Sequence, residues 1–98
     1  MGMEFEWDEN KRKKNLAKHG LDFWFAVDIF EDANRIEYPD ERKDYGENRM
    51  IIIGKITKGI FSSEIILCAV YTDRNGKTRI ISARKANKKE KKLYHDNS

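Results

Sequence analysis

The sequence predicts an α+β protein: a mostly antiparallel sheet with two helices before it and one helix after it. Two segments near the N-terminus each begin with a capping aspartate and continue with helix-forming residues. Three strand-like runs fill the second half, and a lysine-rich helical segment follows the last of them. Because 98 residues suffice for one modest core and are too few for two modules, residues 1–98 are predicted to form a single domain.

The first third of the chain is predicted to hold one strand and two helices. Acidic and aromatic side chains alternate over residues 4–7, as in a short half-buried strand. Asp8 is placed to cap a first helix, which Gly20 ends in a left-handed conformation. Asp22 caps a second helix. Its apolar stripe comprises Phe23, Ala26, Val27 and Phe30, widened by Trp24, Phe25 and Ile29.

The remaining strands are predicted at residues 36–38, 49–53, 64–72 and 77–83. Asn75-Gly76 favours a tight hairpin turn between the last two, because both residues accept positive φ angles. Lys58-Gly59 indicates the preceding turn. Residues 65–70 are apolar on both faces, so their strand is predicted to be central, with helices packed on at least one side.

The last strand brings basic side chains onto the sheet. Strict alternation places Arg79, Ile81 and Ala83 on one face of the sheet. It places Thr78, Ile80, Ser82 and Arg84 on the other face. Arg79 and Arg84 then reach one site only if a bulge or the transition into the last helix reorients Arg84. A guanidinium on a rigid strand is pre-positioned to bind phosphate through two hydrogen bonds.

Charge is unevenly distributed along the chain. Residues 77–98 hold eight Lys and Arg against two acids, whereas residues 1–76 hold twelve against fifteen. Acids are densest over residues 28–47. Nucleic acid is therefore expected to meet the C-terminal end, although a lysine-rich helix can also be a solvated surface with no ligand.

Cysteine content and hydropathy indicate a cytoplasmic protein. Cys68 is the only cysteine, so no intramolecular disulfide can form, which fits a reducing compartment and also a secreted protein that has no disulfide. No apolar run approaches the roughly 20 residues of a membrane-spanning helix, and the N-terminus lacks the features of a signal peptide. We predict no membrane association.

Motifs along nearly the whole chain resemble the BrnT family of toxins. They are Phe5-x-Trp7-Asp8, Lys18-His19-Gly20, Phe23-x-x-Ala26-x-x-x-Phe30-x-Asp32, Tyr45-Gly46-Glu47-x-Arg49, Val70-Tyr71-Thr72-x-Arg74 and Arg79-Ile80-Ile81-Ser82-Ala83-Arg84-x-Ala86. The resemblance implies a ribonuclease toxin of a type II toxin–antitoxin pair, with a fold similar to the RelE toxins. It implies three partners: RNA as substrate, a helix-rich antitoxin of the BrnA type, and promoter DNA bound by the toxin–antitoxin complex.

Cleavage of RNA without a metal needs proton transfer and cationic stabilisation of the transition state. His19 and His95 are the only histidines and no metal-binding motif is present, so we expect no metal and no other cofactor. His19 is the first candidate for proton transfer, because an imidazole donates or accepts protons near neutral pH. Alternatively, His19 merely ends the first helix favourably.

Arg49, Arg79 and Arg84 are candidates for binding phosphate and stabilising developing charge. Alternatively, they pair with acids such as Glu47 or Glu90. Tyr94 is a candidate general acid or base, or a platform on which a base stacks, and otherwise packs in the core. Residues expected to assist RNA binding are Lys18, Arg74, Lys88 and Lys89.

Two other functional classes remain open at this point. A non-catalytic nucleic-acid-binding module within a repressor complex would use the same basic end, and would bind in a strongly salt-dependent manner without cleaving. A pure interaction protein would use the acidic stretch or an apolar surface and bind no RNA.

Overall fold

The computed structural model describes residues 3–42, 44–57 and 64–97. The elements in chain order are β1 (Phe5–Trp7), α1 (Glu9–His19), α2 (Phe23–Ile29), β2 (Ile36–Pro39), β3 (Met50–Lys55), β4 (Ile66–Arg74), β5 (Lys77–Lys85) and α3 (Lys88–Asp96). The strands form one sheet in the order β1-β5-β4-β3-β2. Among the four strand pairings of the described residues, only that of β1 with β5 is parallel. The predicted α+β architecture is confirmed, whereas the predicted turn at Lys58-Gly59 lies outside the described residues.

The predicted helix ends and the last hairpin turn are confirmed. The Asp8 carboxylate accepts a hydrogen bond of 2.8 Å from the Asn10 backbone N–H at the start of α1. Gly20 ends α1 with a φ of 67°. Asn75 and Gly76 have φ angles of 54° and 78° and close the hairpin of β4 and β5. Such angles suit the tight turn that joins two twisted antiparallel strands.

Both faces of the sheet carry apolar cores. The face that we call the α2 face has a core comprising Leu21, Phe23, Ala26, Ile29, Phe30, Ile52, Leu67, Ala69, Tyr71, Ile80 and Ala83. The opposite face, called the α3 face, has a smaller core comprising Ile51, Ile53, Ile66, Cys68, Val70, Ala86 and Tyr94. Strand β4 is the central strand and is buried on both sides over most of its length, which confirms the central position predicted from the apolar run of residues 65–70.

The predicted wide apolar stripe of α2 is wrong at two positions. Trp24 and Phe25 are 66% and 42% exposed, whereas Phe23 and Ala26 are fully buried. A helix of period 3.6 turns its second and third residues away when its first and fourth face a sheet. Trp24 instead packs edge-on against Trp7, with 4.8 Å between the ring centroids.

Helix α1 attaches to the sheet through a polar side chain. Strand β1 ends at Trp7, so the last half of β5 lacks a strand neighbour on that side. The side-chain amide of Asn15 occupies the position of the missing strand neighbour. It donates to the Ala83 carbonyl at 2.7 Å and accepts from the Ala83 N–H at 3.1 Å. Since a strand neighbour would offer the same donor and acceptor, Asn15 satisfies the free edge of β5.

Strand β5 contains a bulge. Tyr71 of β4 lies opposite Ile80, but the preceding residue Val70 lies opposite Ser82. Ile81 is therefore an extra residue of β5, inserted between the partners of two successive residues of β4.

The bulge corrects the predicted alternation of β5. Ile80 and Ala83 both contribute to the core of the α2 face, whereas Ile81 packs on the α3 face. Strict alternation, which placed Ile81 with Ala83, was wrong because the extra residue reverses the side-chain order. Arg79 and Arg84 consequently fall on the same face, the α3 face, as the sequence analysis required for a shared surface.

Candidate functional site

A polar groove of about 270 Å³ lies on the α3 face, between β2 and β5 and beside α3. Its apolar lining comes from the central strands and its polar lining from the surrounding elements: Tyr38, Arg42, Ile51, Cys68, Val70, Ser82, Arg84 and Glu90. The groove combines two guanidinium groups with hydroxyl groups, which are suitable partners for phosphate oxygens.

A larger depression, of about 610 Å³, lies at the acidic loop between β2 and β3. Its acidic lining comprises Asp40, Glu41, Asp44 and Glu47. Four carboxylates repel a polyanion, so the smaller groove is the better candidate for binding nucleic acid.

Arg84 is held in the groove by Glu90. Its two terminal nitrogens donate to the two carboxylate oxygens of Glu90, at 2.6 and 2.8 Å. Glu90 is fixed in turn, because it is the third residue of α3 and completes a capping box with Asn87. The hydrogen bond from Arg84 lowers the pKa of Glu90, and the carboxylate raises the pKa of Arg84. The groove thus holds a permanently charged, oriented fork.

Arg42 contributes the second guanidinium. It bonds Asp40 through Nε and Nη2, both at 2.7 Å, and Tyr45 donates to the same carboxylate at 3.1 Å. Asp40 is fully buried, while the Arg42 side chain is 62% exposed. The hydrogen bond from Arg42 lowers the pKa of Asp40 to about 2. Arg42 is therefore anchored at one edge and accessible at the other.

The sequence analysis did not assign Arg42, Tyr38 or Ser82 to a site. Arg42 comes from a loop without periodicity, so no pattern marks it. Tyr38 was detectable in part, because it alternates with Glu37 on a predicted strand. Ser82 reaches the groove through the bulge, which alternation does not reveal.

Arg49 and Arg74 lie outside the groove and share one carboxylate. Arg49 Nε is 3.0 Å and Arg74 Nη2 is 2.9 Å from the oxygens of Glu47. The Arg49 guanidinium also stacks over the Tyr45 ring, 4.1 Å from its centroid. Arg49 lines the acidic depression.

Arg79 pairs with Glu6 of β1, with 2.8 Å between Nη1 and Oε2. Pairing with acids, the alternative considered for the three strand arginines, is thus what the structure contains at each of them. Of the three, Arg84 alone lines the groove. An ion pair fixes an arginine without removing its charge, so pairing does not decide the role of any of them.

Tyr94 packs in the core of the α3 face and is 2% exposed. Its hydroxyl donates to Asp32 at 2.6 Å, and the backbone N–H of Lys55 donates to the same oxygen at 2.8 Å. Burial and this hydrogen bond raise the pKa of Tyr94. Burial opposes ionisation of Asp32, but hydrogen bonds from Tyr94 and two backbone N–H groups outweigh it and lower its pKa. The buried position of Tyr94 agrees with the alternative that this side chain packs in the core.

A second, shallow depression of about 220 Å³ adjoins the groove. It is lined by Lys11, Lys14, Asn15, Lys18, His19, Ile81 and Ser82. Ser82 lines both depressions, so the predicted residues Lys18 and His19 lie next to the groove rather than inside it. Lys88 and Lys89 are exposed at the start of α3, immediately before Glu90.

Within residues 3–42, 44–57 and 64–97, no three His, Cys, Asp or Glu side chains are grouped as metal ligands. In the same ranges, no helix is long and apolar enough to cross a membrane.

The α+β fold and the groove with two arginines, each held by a carboxylate, define a class of small proteins suited to binding phosphate groups. Comparison with protein families identifies the class more closely. Residues 7–90 match the family model of BrnT, the ribonuclease toxin of a type II toxin–antitoxin system. The chain therefore belongs to the BrnT family of ribonuclease toxins, with an antitoxin as its partner and RNA as its substrate. Comparison with curated proteins gives no match.

Proposed function

We propose that the chain is an endoribonuclease that cleaves RNA in the groove of the α3 face without a metal ion. One observation carries the proposal: the groove of a ribonuclease-toxin family member holds the oriented guanidinium of Arg84 beside the exposed edge of Arg42. In this reaction the 2′-hydroxyl loses its proton and its oxygen attacks the adjacent phosphorus, while the bond from phosphorus to the 5′ oxygen breaks and the leaving oxygen takes up a proton. Negative charge accumulates on the phosphoryl oxygens, where preorganised donors are most effective.

The residues take different roles in this proposal. Arg84 stabilises the transition state, and Arg42 binds a neighbouring phosphate oxygen. His19 transfers a proton from its position beside Ser82. Glu90 is a weak base, because its pKa is lowered by Arg84, so its role is to orient Arg84. Tyr94 acts at a distance by fixing α3, which carries Glu90.

The other predicted residues would extend the RNA contact beyond the groove. Arg79 lies on the same face as Arg84, and Arg49 and Arg74 lie near the start of β3 and the end of β4. Lys18, Lys88 and Lys89 are exposed and suited to contact phosphates. We propose that all of these bind RNA flanking the cleaved bond.

The wider setting is proposed from family membership. Residues 1–98 act as one RelE-like toxin domain in the cytoplasm. A BrnA-type antitoxin neutralises the toxin, and the complex of the two binds its own promoter DNA. A non-catalytic role for the chain, as a nucleic-acid-binding part of that repressor, is the second candidate, favoured by the basic surface.

Expression of the chain alone in bacteria tests the proposal. The parent is compared with Arg84→Ala and with Arg35→Ala, which removes an ion-paired guanidinium outside the groove. We expect growth arrest and fragmented bulk RNA from the parent and from Arg35→Ala, and normal growth with intact RNA from a folded Arg84→Ala protein. Intact RNA from a folded parent that binds RNA would favour the non-catalytic candidate.

A further inference from the structure

The arginines of the protein and three lysines of α1 differ in their ion pairing. Each of its seven arginines is ion-paired with a carboxylate. By contrast, the ammonium groups of Lys11, Lys14 and Lys18 have no hydrogen-bond or ion-pair partner within the described parts of the chain. These three lysines occur at i, i+3 and i+7 of α1 and therefore share one side of the helix. We call them the α1 lysine face.

The α1 lysine face is the wall of a depression rather than an isolated ridge. The opposite lining includes Ile81 and Ser82, the two residues at the bulge of β5. Because Ser82 also lines the groove, the two depressions meet at this side chain. The two hydrogen bonds of Asn15 with Ala83 hold α1 at this edge of the sheet.

Building on the proposed ribonuclease function, we infer that the α1 lysine face binds the phosphates of the RNA strand next to the cleaved bond. The strand passes from the groove across Ser82 and onto α1. Lys11 and Lys18 are separated by roughly 10 Å along the helix axis, so the lysines can contact different phosphates of one strand. Lysine ammonium groups contact phosphates without reading base sequence, so this contact adds affinity and fixes the direction of the strand.

The chemistry of the depression favours RNA over a protein partner. Ile81 is the only apolar residue among those that line it in the described ranges, and the other six are polar or charged. Lysine is depleted in protein–protein interfaces, whose binding energy comes from aromatic and arginine anchors in apolar pockets. A polyanion needs no apolar anchor, because neutralised phosphates release counterions.

Matched charge reversals on one helix test this inference. Lys14→Glu reverses a charge of the α1 lysine face, whereas Lys13→Glu makes the same change on the opposite side of α1, outside the depression. Binding is measured by fluorescence anisotropy with a single-stranded RNA whose 2′-hydroxyls are methylated, so that no cleavage occurs. We expect Lys14→Glu to weaken binding by roughly tenfold and to reduce the salt slope by about 0.7 or more, and Lys13→Glu to have a much smaller effect.

Three outcomes are informative, given circular dichroism spectra that match the parent. Equal affinity of the two variants would overturn the inference. Unchanged RNA affinity of Lys14→Glu together with lost neutralisation by the antitoxin would also overturn it, in favour of a protein-binding surface. A parent that binds this RNA through Lys14 but cleaves no unmodified RNA would support the lysine contact while refuting the ribonuclease function.

Discussion

The groove and the α1 lysine face are neighbours with opposite electrostatic construction. In the groove, Arg84 and Arg42 are each fixed by two hydrogen bonds to a carboxylate. On α1, Lys11, Lys14 and Lys18 are exposed and form no ion pair with a carboxylate of the described ranges. Fixed cations suit a reaction, because they need no reorganisation as charge develops. Unfixed cations suit attraction of a polyanion, because they are not neutralised in advance.

The largest expected effect concerns the geometry of Arg84 rather than its charge. Arg84→Lys keeps a positive charge but loses the planar fork that binds Glu90 at 2.6 and 2.8 Å. If orientation matters in the groove, the single-turnover cleavage rate should fall by about 10²-fold or more, similar to the loss of one oxyanion-hole donor. Lys14→Arg on α1 is the matched control, and its cleavage rate should stay within about twofold of the parent, since a surface phosphate contact depends mainly on charge. Equal losses in both variants would remove the distinction between the two regions.

The next effect concerns the side chain that joins the two regions. Asn15→Ala removes the hydrogen-bond partner of three buried groups: the N–H and C=O of Ala83 and the C=O of Leu21. Their loss should lower the free energy of unfolding by about 3 kcal/mol or more, measured by urea denaturation. Leu16→Ala is the control, because Leu16 is exposed on the same helix and should change stability by less than about 1 kcal/mol. Similar destabilisation by both would mean that α1 is not attached through Asn15.

The smallest expected effect is on stability in acid, to which the fixed pair of Asp40 and Arg42 contributes. The pKa of Asp40 is lowered from 3.8 to about 2 by Arg42. As pH falls below about 4, the unfolded state takes up protons before the folded state does, so this contribution to stability is present above pH 4 and is lost between pH 4 and pH 2. Asp40→Asn should flatten the pH dependence of the urea midpoint in this window. An unchanged slope would show that Asp40 and Arg42 are not coupled.

Much of the fold follows from short-range signals in the sequence. Asp8, Gly20 and Asn75-Gly76 each determine a local backbone geometry through one or two hydrogen bonds or positive φ angles, and all were predicted correctly. The exposure of Trp24 and Phe25 was not predicted, because periodicity gives the phase of a helix but not how much of it the sheet covers.

The groove was harder to predict than the fold. Arg84 was identified from its strand, but its face depends on the bulge at Ile81, which arises from pairing with β4 and leaves no mark in the β5 sequence. Arg42 enters the groove from a loop, held there by Asp40 and Tyr45. Such contacts depend on tertiary packing, which residue spacing alone does not encode.

The most direct measurement is the single-turnover rate of RNA cleavage as a function of protein concentration for the parent, Arg84→Ala and Lys14→Glu. We predict that Arg84→Ala lowers the maximal rate by about 10²-fold or more, with little change in the concentration that gives half the maximum. Lys14→Glu should raise that concentration by roughly tenfold and leave the maximal rate unchanged. Loss of maximal rate in Lys14→Glu, or an Arg84→Ala protein that reaches the parent rate at high concentration, would contradict the division of roles between the groove and the α1 lysine face.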